Sequence, residues 1–268
     1  MTEKSPIKVH WWNGRPNFGD ALSPLAVEFV SGRPTQWAGK EEMEVLSTGS
    51  IMIRAARAYG QPRDHRPLIW GTGMMSPVRT AFVPHVDFAA VRGPITRTLL
   101  DLPPLPYGDP GLLIARAATT EVERGDAIGL IPHHGDFKDA ATKGAIAALQ
   151  DKGELRIIDP RSNDVFAVAD EIRACRHVFS SSLHGLILSD AFNVPNTWVA
   201  GRAIHATPAL KFMDYFLSVG REYREPIPYE AIEDAEKGTR GASAVPYAAR
   251  VEETKDALID AFPKHMKA

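Results

Sequence analysis

From Cys175 to Ala200 the chain reads CRHVFSSSLHGLILSDAFNVPNTWVA, an order of residue types that few folds accommodate. Arg176–Ser180 carries the apolar pair Val178-Phe179 of a short buried strand. Ser180–Gly185 follows as a turn of small residues, and the apolar run Leu186–Phe192 reads as a helix. Asn193-Val194-Pro195 ends that helix, because proline disfavours helical geometry in the residue before it. Thr197–Ala200 then reads as the next strand. Strand, turn, helix, strand is the pattern of a parallel sheet. Ligands of such sheets sit beyond the carboxyl ends of the strands, where helix N-termini offer free N–H groups. Ser181 and Ser182 are therefore candidate anion ligands, and His184 a candidate for proton transfer.

The same alternation runs through most of the chain. Ile7–Trp12 reads as a first strand, followed by the loop NGRPNFGD (Asn13–Asp20) and a helix over Ala21–Ser31 that Asp20 is placed to cap. Val45–Thr48, Leu68–Trp70 and Asp87–Val91 read as strands, with helices over Ile51–Tyr59 and Ile95–Leu100. Residues 115–125, ARAATTEVERG, lack apolar periodicity and mark a domain boundary. A second series follows: strand Ala127–Ile131, helix Lys138–Gln150, strand Leu155–Ile158 and helix Val165–Ala174 capped by Asp164. The aromatics of Lys211–Phe216 fall at helical spacing, Glu222–Gly241 reads as irregular, and Val245–Phe262 ends in an amphipathic helix. The expected fold class is α/β, with two Rossmann-like domains facing across a cleft. The expected boundaries are 1–120 for the N-terminal domain, 121–240 for the C-terminal domain and 241–268 for a tail helix.

The loops at the inferred carboxyl ends collect the chemistry. Asp20 can orient or deprotonate a hydroxyl, and Arg92 can clamp a carboxylate or phosphate. Asp109 in YGDP (Tyr107–Pro110) either caps or faces the cleft. His133 of the pair His133-His134 is expected to face a ligand. A metal is not expected there, because no third ligand stands at a recognisable spacing and neighbours in an extended segment point apart. Arg202 and Lys211 are the further cations expected to reach the cleft. The set suits group transfer from a phosphorylated donor to a polyhydroxy acceptor. A serine hydrolase suits it less, since no G-x-S-x-G is present, and the phosphate loop G-x-x-x-x-G-K-[ST] is absent too.

Global properties narrow the classes further. A formal net charge of -2 gives no sign of a nucleic-acid partner. The lone cysteine, Cys175, excludes an intrachain disulfide and suits a reducing compartment. No stretch approaches the ~18 apolar residues of a membrane span, and MTEKSPIKVHWW lacks the apolar core of a signal peptide. The expected location is the cytoplasm, with peripheral contact at the inner face of the membrane compatible with the scattered basic residues.

Seven segments in order resemble the polysaccharide pyruvyl transferases, in particular the bacterial exopolysaccharide branch that adds pyruvate ketals. They are NFGD (Asn17–Asp20), WGTG (Trp70–Gly73), VRGP (Val91–Pro94), YGDP (Tyr107–Pro110), IPHHGD (Ile131–Asp136), SSSLHGLILSDAFNVPN (Ser180–Asn196) and KFMDYFLSVG (Lys211–Gly220). The resemblance implies a GT-B-like fold with no nucleotide-sugar donor and no cofactor. Phosphoenolpyruvate would be the donor substrate, and two hydroxyls of a sugar, in a polysaccharide or its lipid-linked precursor, the acceptor. It implies His184 and Asp20 as catalytic residues and Asn17 and Arg92 among the binding residues. Many members carry arginine two positions before the histidine, where this chain has Ser182, so charge there must come from Arg92, Arg202 or Lys211. A nucleotide-sugar glycosyltransferase and a non-catalytic glycan-binding protein are the alternatives.

Overall fold

A computed structural model describes residues 5–151, 155–200, 207 and 209–268. The first half contains β1 (Ile7–His10), α1 (Phe18–Ser31), β2 (Thr35–Trp37), β3 (Val45–Leu46), α2 (Ile53–Ala58), β4 (Leu68–Trp70), β5 (Asp87–Ala90), α3 (Pro94–Leu99) and α4 (Ile114–Ala117). The second contains β6 (Ile128–Ile131), α5 (Ala140–Asp151), β7 (Leu155–Ile157), α6 (Val165–Arg173), β8 (His177–Ser180), α7 (Leu183–Ala191), β9 (Asn196–Ala200), α8 (Leu210–Ser218), β10 (Ile227–Pro228), α9 (Ile232–Lys237) and α10 (Ala248–Ala261).

Each half builds a parallel sheet of five strands, in the orders β2-β1-β3-β4-β5 and β10-β9-β8-β6-β7. Numbered within its own half, each sheet has the order 2-1-3-4-5, one of the two common doubly wound arrangements. The order reverses between β1 and β3 in the first sheet and between β6 and β8 in the second. The central strands β3, β4, β6 and β8 are buried throughout because both faces of each sheet are covered there, whereas the edge strand β2 is largely exposed. In the first sheet, Val9, Val45, Leu68 and Trp70 pack against Ala26, Val27 and Val30 of α1. Leu46 and Ile69 pack on the opposite side with Met52, Ala55 and Tyr59. In the second, Ile131 and Val178 meet Val165, Val168 and Ile172 of α6, while Leu130 and Phe179 meet Ile146 and Leu149 of α5.

The halves share apolar and polar contacts. Phe18 and Leu22 of α1 belong to the same core cluster as Ile131, Ile158 and Val178. The Phe18 N–H donates to the Pro160 carbonyl (3.1 Å), and the Asn17 N–H to Oδ1 of Asn163 (3.2 Å). Helix α10 returns to the first sheet. Leu258 and Phe262 are buried beside Trp70, whose indole N–H donates to the Leu258 carbonyl at 3.0 Å. Each such burial stabilises by about 1.5–3 kcal/mol, so α10 is an integral layer rather than a loose tail. A second polar tie holds α7 in place. Asp190 accepts hydrogen bonds from Tyr215 (2.9 Å), Tyr247 (2.9 Å) and the Asn196 amide (2.6 Å).

Several expected boundaries move. Asp20 does not cap the first helix: α1 begins at Phe18 with Asn17 as its N-cap, Oδ1 accepting from the Gly19 N–H at 3.0 Å. Leu183, His184 and Gly185 are the first turn of α7 rather than a preceding turn. The segment expected to be irregular, Glu222–Gly241, contains β10, a 3-10 turn (Tyr229–Ala231) and α9. There Tyr229 and Ile232 bury apolar surface against the second sheet. Polar composition hid these elements because only one side of each meets the core.

Candidate active site

The loops at the two order-reversal points meet at one pocket. From the first sheet, the β1–α1 connection supplies Trp12, Arg15 and Asn17 and the first turn of α1 supplies Asp20, while the β3–α2 connection supplies Ser50 and Ile51 and the first turn of α2 supplies Arg54. From the second, the segment after β6 supplies His133 and His134, and the start of α7 supplies its N-cap Ser182 with Leu183 and His184. Lys211 of α8, Met75 and Pro160 complete a cavity of about 210 Å³. A doubly wound sheet splays its loops apart where its strand order reverses. Two such crevices opening on one space give a pocket that neither sheet forms alone.

His184 stands in the first turn of α7, with its ring between two glycines. A Cβ at Gly19 would lie 2.1 Å from Nδ1 and one at Gly49 3.4 Å from Cε1. Nε2 is buried without a hydrogen-bond partner, 3.9 Å from Oδ2 of Asp109. Burial pushes the His184 pKa down. The Asp109 carboxylate opposes that shift, and the Lys211 and Arg92 charges add to it. The imidazole is therefore neutral near neutral pH, and an anion entering the pocket would favour its protonated form.

Asp20 and Lys211 are displaced in opposite senses. Burial raises the Asp20 carboxyl to about 7, against the pull of Arg54, the Asn17 side chain and Lys211. Burial lowers the Lys211 ammonium to about 8, helped by Arg92 and opposed by Asp136 and Asp20. Lys211 is 8% exposed, so its charge sits in the pocket wall rather than in bulk water. Ser182 is the N-cap of α7 and makes no side-chain capping bond, which leaves the helix N-terminus open toward the pocket it lines.

Of the residues expected from sequence, Asn17, Asp20, His133, Ser182, His184 and Lys211 line the pocket. Three do not. Arg92 is fully buried one layer behind: Nε donates to Oδ2 of Asp214 (3.1 Å), Nη2 to the Met74 carbonyl (2.7 Å) and Nη1 to the Ser50 hydroxyl. Its guanidinium is committed to protein partners, so in this structure it backs the pocket rather than clamping a ligand. Asp109 is likewise buried, with Oδ1 accepting from the Gly111 N–H and Oδ2 from the Gly49 N–H, both at 3.0 Å. It faces His184 instead of the open space. Ser181 turns inward, donating to Oδ2 of Asp136 at 2.5 Å beside Tyr229. Arg202 lies outside the described residues. The two adjacent histidines do not point apart. Their ring centroids are 4.1 Å from each other, because His134 opens a turn instead of continuing an extended segment.

Sequence reasoning passed over Trp12, Arg15 and Arg54. Arg54 had a legible signal: it follows the Gly49-Ser50 turn and opens α2, where a helix dipole disfavours a cation unless an anion is to be met. Trp12 and Arg15 had none, since an aromatic and an arginine in a polar loop are ordinary surface residues.

Comparison with known proteins bears on what this pocket serves. The family model of the polysaccharide pyruvyl transferases matches residues 60–201. Uncharacterized protein L143 of Acanthamoeba polyphaga mimivirus is 34% identical over 232 residues, covering 82% of this chain and 77% of that protein. The succinoglycan biosynthesis protein ExoV of Rhizobium meliloti (strain 1021) is 27% identical over 229 residues, 81% of this chain and 66% of its own length. The matched region includes β8, the serine turn and His184, which stand at the junction of both sheets. With more than half of the chain matched by the family model and a relative 34% identical over most of both chains, this protein belongs to the polysaccharide pyruvyl transferase family and is a transferase.

Proposed function

We propose that the protein moves the pyruvate group of phosphoenolpyruvate onto two hydroxyls of one sugar, in a polysaccharide or its lipid-linked precursor, forming a ketal and releasing phosphate. The observation that carries this reading is the convergence of Arg15, Arg54 and Lys211 with Asp20 and His184 around one pocket. The two sheets act as GT-B-like lobes, with residues 1–120 on the acceptor side and 121–240 on the donor side. The enzyme works in the cytoplasm, at the inner face of the membrane for a lipid-linked acceptor. Among the described residues no helix is long and apolar enough to cross a membrane.

Phosphoenolpyruvate carries a phosphate and a carboxylate, which call for convergent cations and N–H donors. Lys211, Arg54 and the open N-terminus of α7 at Ser182 meet them. The bound anion favours the imidazolium of His184, which protonates the methylene carbon C3 and leaves positive charge at C2. Asp20 takes the proton of the first attacking hydroxyl, phosphate departs, and the second hydroxyl closes the ketal. Of the two hydroxyl protons, one is made good on the new methyl group and the other leaves with phosphate.

This assignment has a pH signature. The Asp20 carboxylate is needed, and its fraction rises through about 7; the Lys211 ammonium is needed, and its fraction falls through about 8. The pH profile of kcat/KM, which reports the free enzyme, is expected to rise with the Asp20 carboxylate through about 7 and to fall as His184 and then Lys211 give up their protons, the Lys211 step near 8. Asp20→Asn should remove the acid limb along with most of the activity, and Lys211→Arg should carry the step near 8 upward. Stability follows the same groups. Asp20, raised on folding, favours the folded state most at acid pH and loses that contribution as pH climbs through about 7. Lys211, depressed on folding, contributes at alkaline pH and loses its share as pH drops through about 8.

The discriminating experiment is thermal denaturation with phosphoenolpyruvate and, separately, with nucleotide sugars. A ligand present at 100 times its Kd stabilises by about 2.7 kcal/mol. Phosphoenolpyruvate should raise the midpoint and nucleotide sugars should leave it unchanged. The reverse result assigns the pocket to a glycosyltransferase.

A further inference from the structure

Resting on the reading above, we infer that Trp12 is the platform on which the acceptor pyranose lies. It supplies the pocket's indole, near the start of the β1–α1 connection that leads to Asn17 and to Asp20 in the first turn of α1. It is held in place yet left open. A Cβ at Gly14 would stand 2.6 Å from Cζ2, so the ring lies close against backbone that only glycine permits there. The Arg54 guanidinium sits 5.3 Å from the ring centroid, while 42% of Trp12 remains exposed.

Trp12 differs from the other exposed aromatics in lining the pocket, where a ligand can cover its ring. A pyranose is suited to do so: its axial C–H groups form an apolar, weakly positive face that complements the negative face of an indole. Its hydroxyls then project edgewise, toward groups that accept and donate hydrogen bonds. Asn17 and Asp20 line the same pocket, and Asp20 is the group assigned to the attacking hydroxyl. Trp12 shares the pocket with Arg15, Asn17 and Asp20, polar groups that suit sugar hydroxyls better than acyl chains.

Arg54 gives the arrangement a second consequence. It stacks on Trp12 and also lines the space assigned to the donor. An anion that draws Arg54 inward acts on the ring that receives the sugar, so donor and acceptor subsites share one side chain.

Saturation-transfer NMR with methyl β-D-glucopyranoside and methyl β-D-galactopyranoside, in the presence of phosphoenolpyruvate, tests the assignment. In the wild type the strongest saturation should fall on the axial protons H1, H3 and H5. Trp12→Ala should weaken binding about tenfold, the loss of an aromatic contact of about 1.4 kcal/mol. Trp12→Phe should keep most of it. Phe29→Ala, which removes an exposed aromatic near the C-terminal end of α1, should change nothing. The melting shift produced by phosphoenolpyruvate should persist in Trp12→Ala, which also proves that variant folded. Glycoside contact that survives Trp12→Ala, or no contact of either glycoside with the wild type, overturns the inference. A wild type that binds the glycosides through Trp12 yet ignores phosphoenolpyruvate upholds the platform and refutes the donor.

Discussion

Replacing His184 by alanine is expected to slow phosphate release from phosphoenolpyruvate by about 10²–10⁴-fold, the usual worth of a positioned acid–base side chain. The fold should survive, because the ring lines a pocket and makes no hydrogen bond through Nε2. Circular dichroism and the melting midpoint of His184→Ala should therefore stay close to wild type while turnover collapses. A variant that keeps its turnover removes the imidazole from the mechanism. A companion substitution separates the ring's presence from its position. Gly19→Ala leaves His184 in the chain but puts a methyl 2.1 Å from Nδ1, so the ring must move. Displacements of that order cost about 10²-fold in enzymes whose chemistry depends on alignment. Gly19→Ala should thus approach the histidine deletion in rate, and a fully active Gly19→Ala would show that the ring's place does not matter. Asp109 stands 3.9 Å from Nε2 and is itself tied to Gly49 and Gly111.

The largest stability effect is expected at Asp214. Its carboxylate and the Arg92 guanidinium are both fully buried, and Asp214 also accepts from the Thr96 N–H (2.9 Å) and hydroxyl (2.7 Å). Gly93 allows this approach, since a Cβ there would stand 1.9 Å from the Asp214 carbonyl oxygen. Asp214→Ala strands a buried cation and two Thr96 donors, a class of change that costs about 3–5 kcal/mol. The melting midpoint should drop by roughly 6–20 °C at about 2–4 °C per kcal/mol. Asp214→Asn, which keeps an acceptor for Thr96, should lose less. A midpoint within 2 °C (about 1 kcal/mol) of wild type in Asp214→Ala would mean that the pair adds little to the fold. Because Arg92 reaches Ser50 and the Gly49 carbonyl, the damage should spread to the pocket wall.

These residues mark where sequence reading stops. Alternation of strands and helices was visible through most of the chain, Glu222–Gly241 excepted, because a strand buried on both faces must be apolar and its flanking helices must be amphipathic. His184, Asp20, Asn17, Ser182, His133 and Lys211 were legible as well. Polar residues in loops that follow strands have to stand at the carboxyl end of a sheet, and that end is where ligands bind. Arg92 and Asp109 satisfied the same criterion and yet are buried. Whether a polar side chain at a sheet end faces solvent or a buried counterpart depends on its neighbour across the fold. For Arg92 that neighbour is Asp214, 122 positions further along the chain. No local pattern reports such a pairing.

The amino-acid order alone determined that this chain makes two parallel α/β series, and that a histidine opens the helix following β8. Hydrophobic periodicity and turn chemistry are local, so they can be read locally. Tertiary structure decided which charges are spent on holding the protein together and which remain for a ligand. It also decided that the reversal points of two sheets open on one pocket, bringing Arg54 and Trp12 to His184. Burial and electrostatic shifts arise from groups distant in sequence. The protonation states of Asp20 and Lys211 therefore exist only once the chain has closed around them.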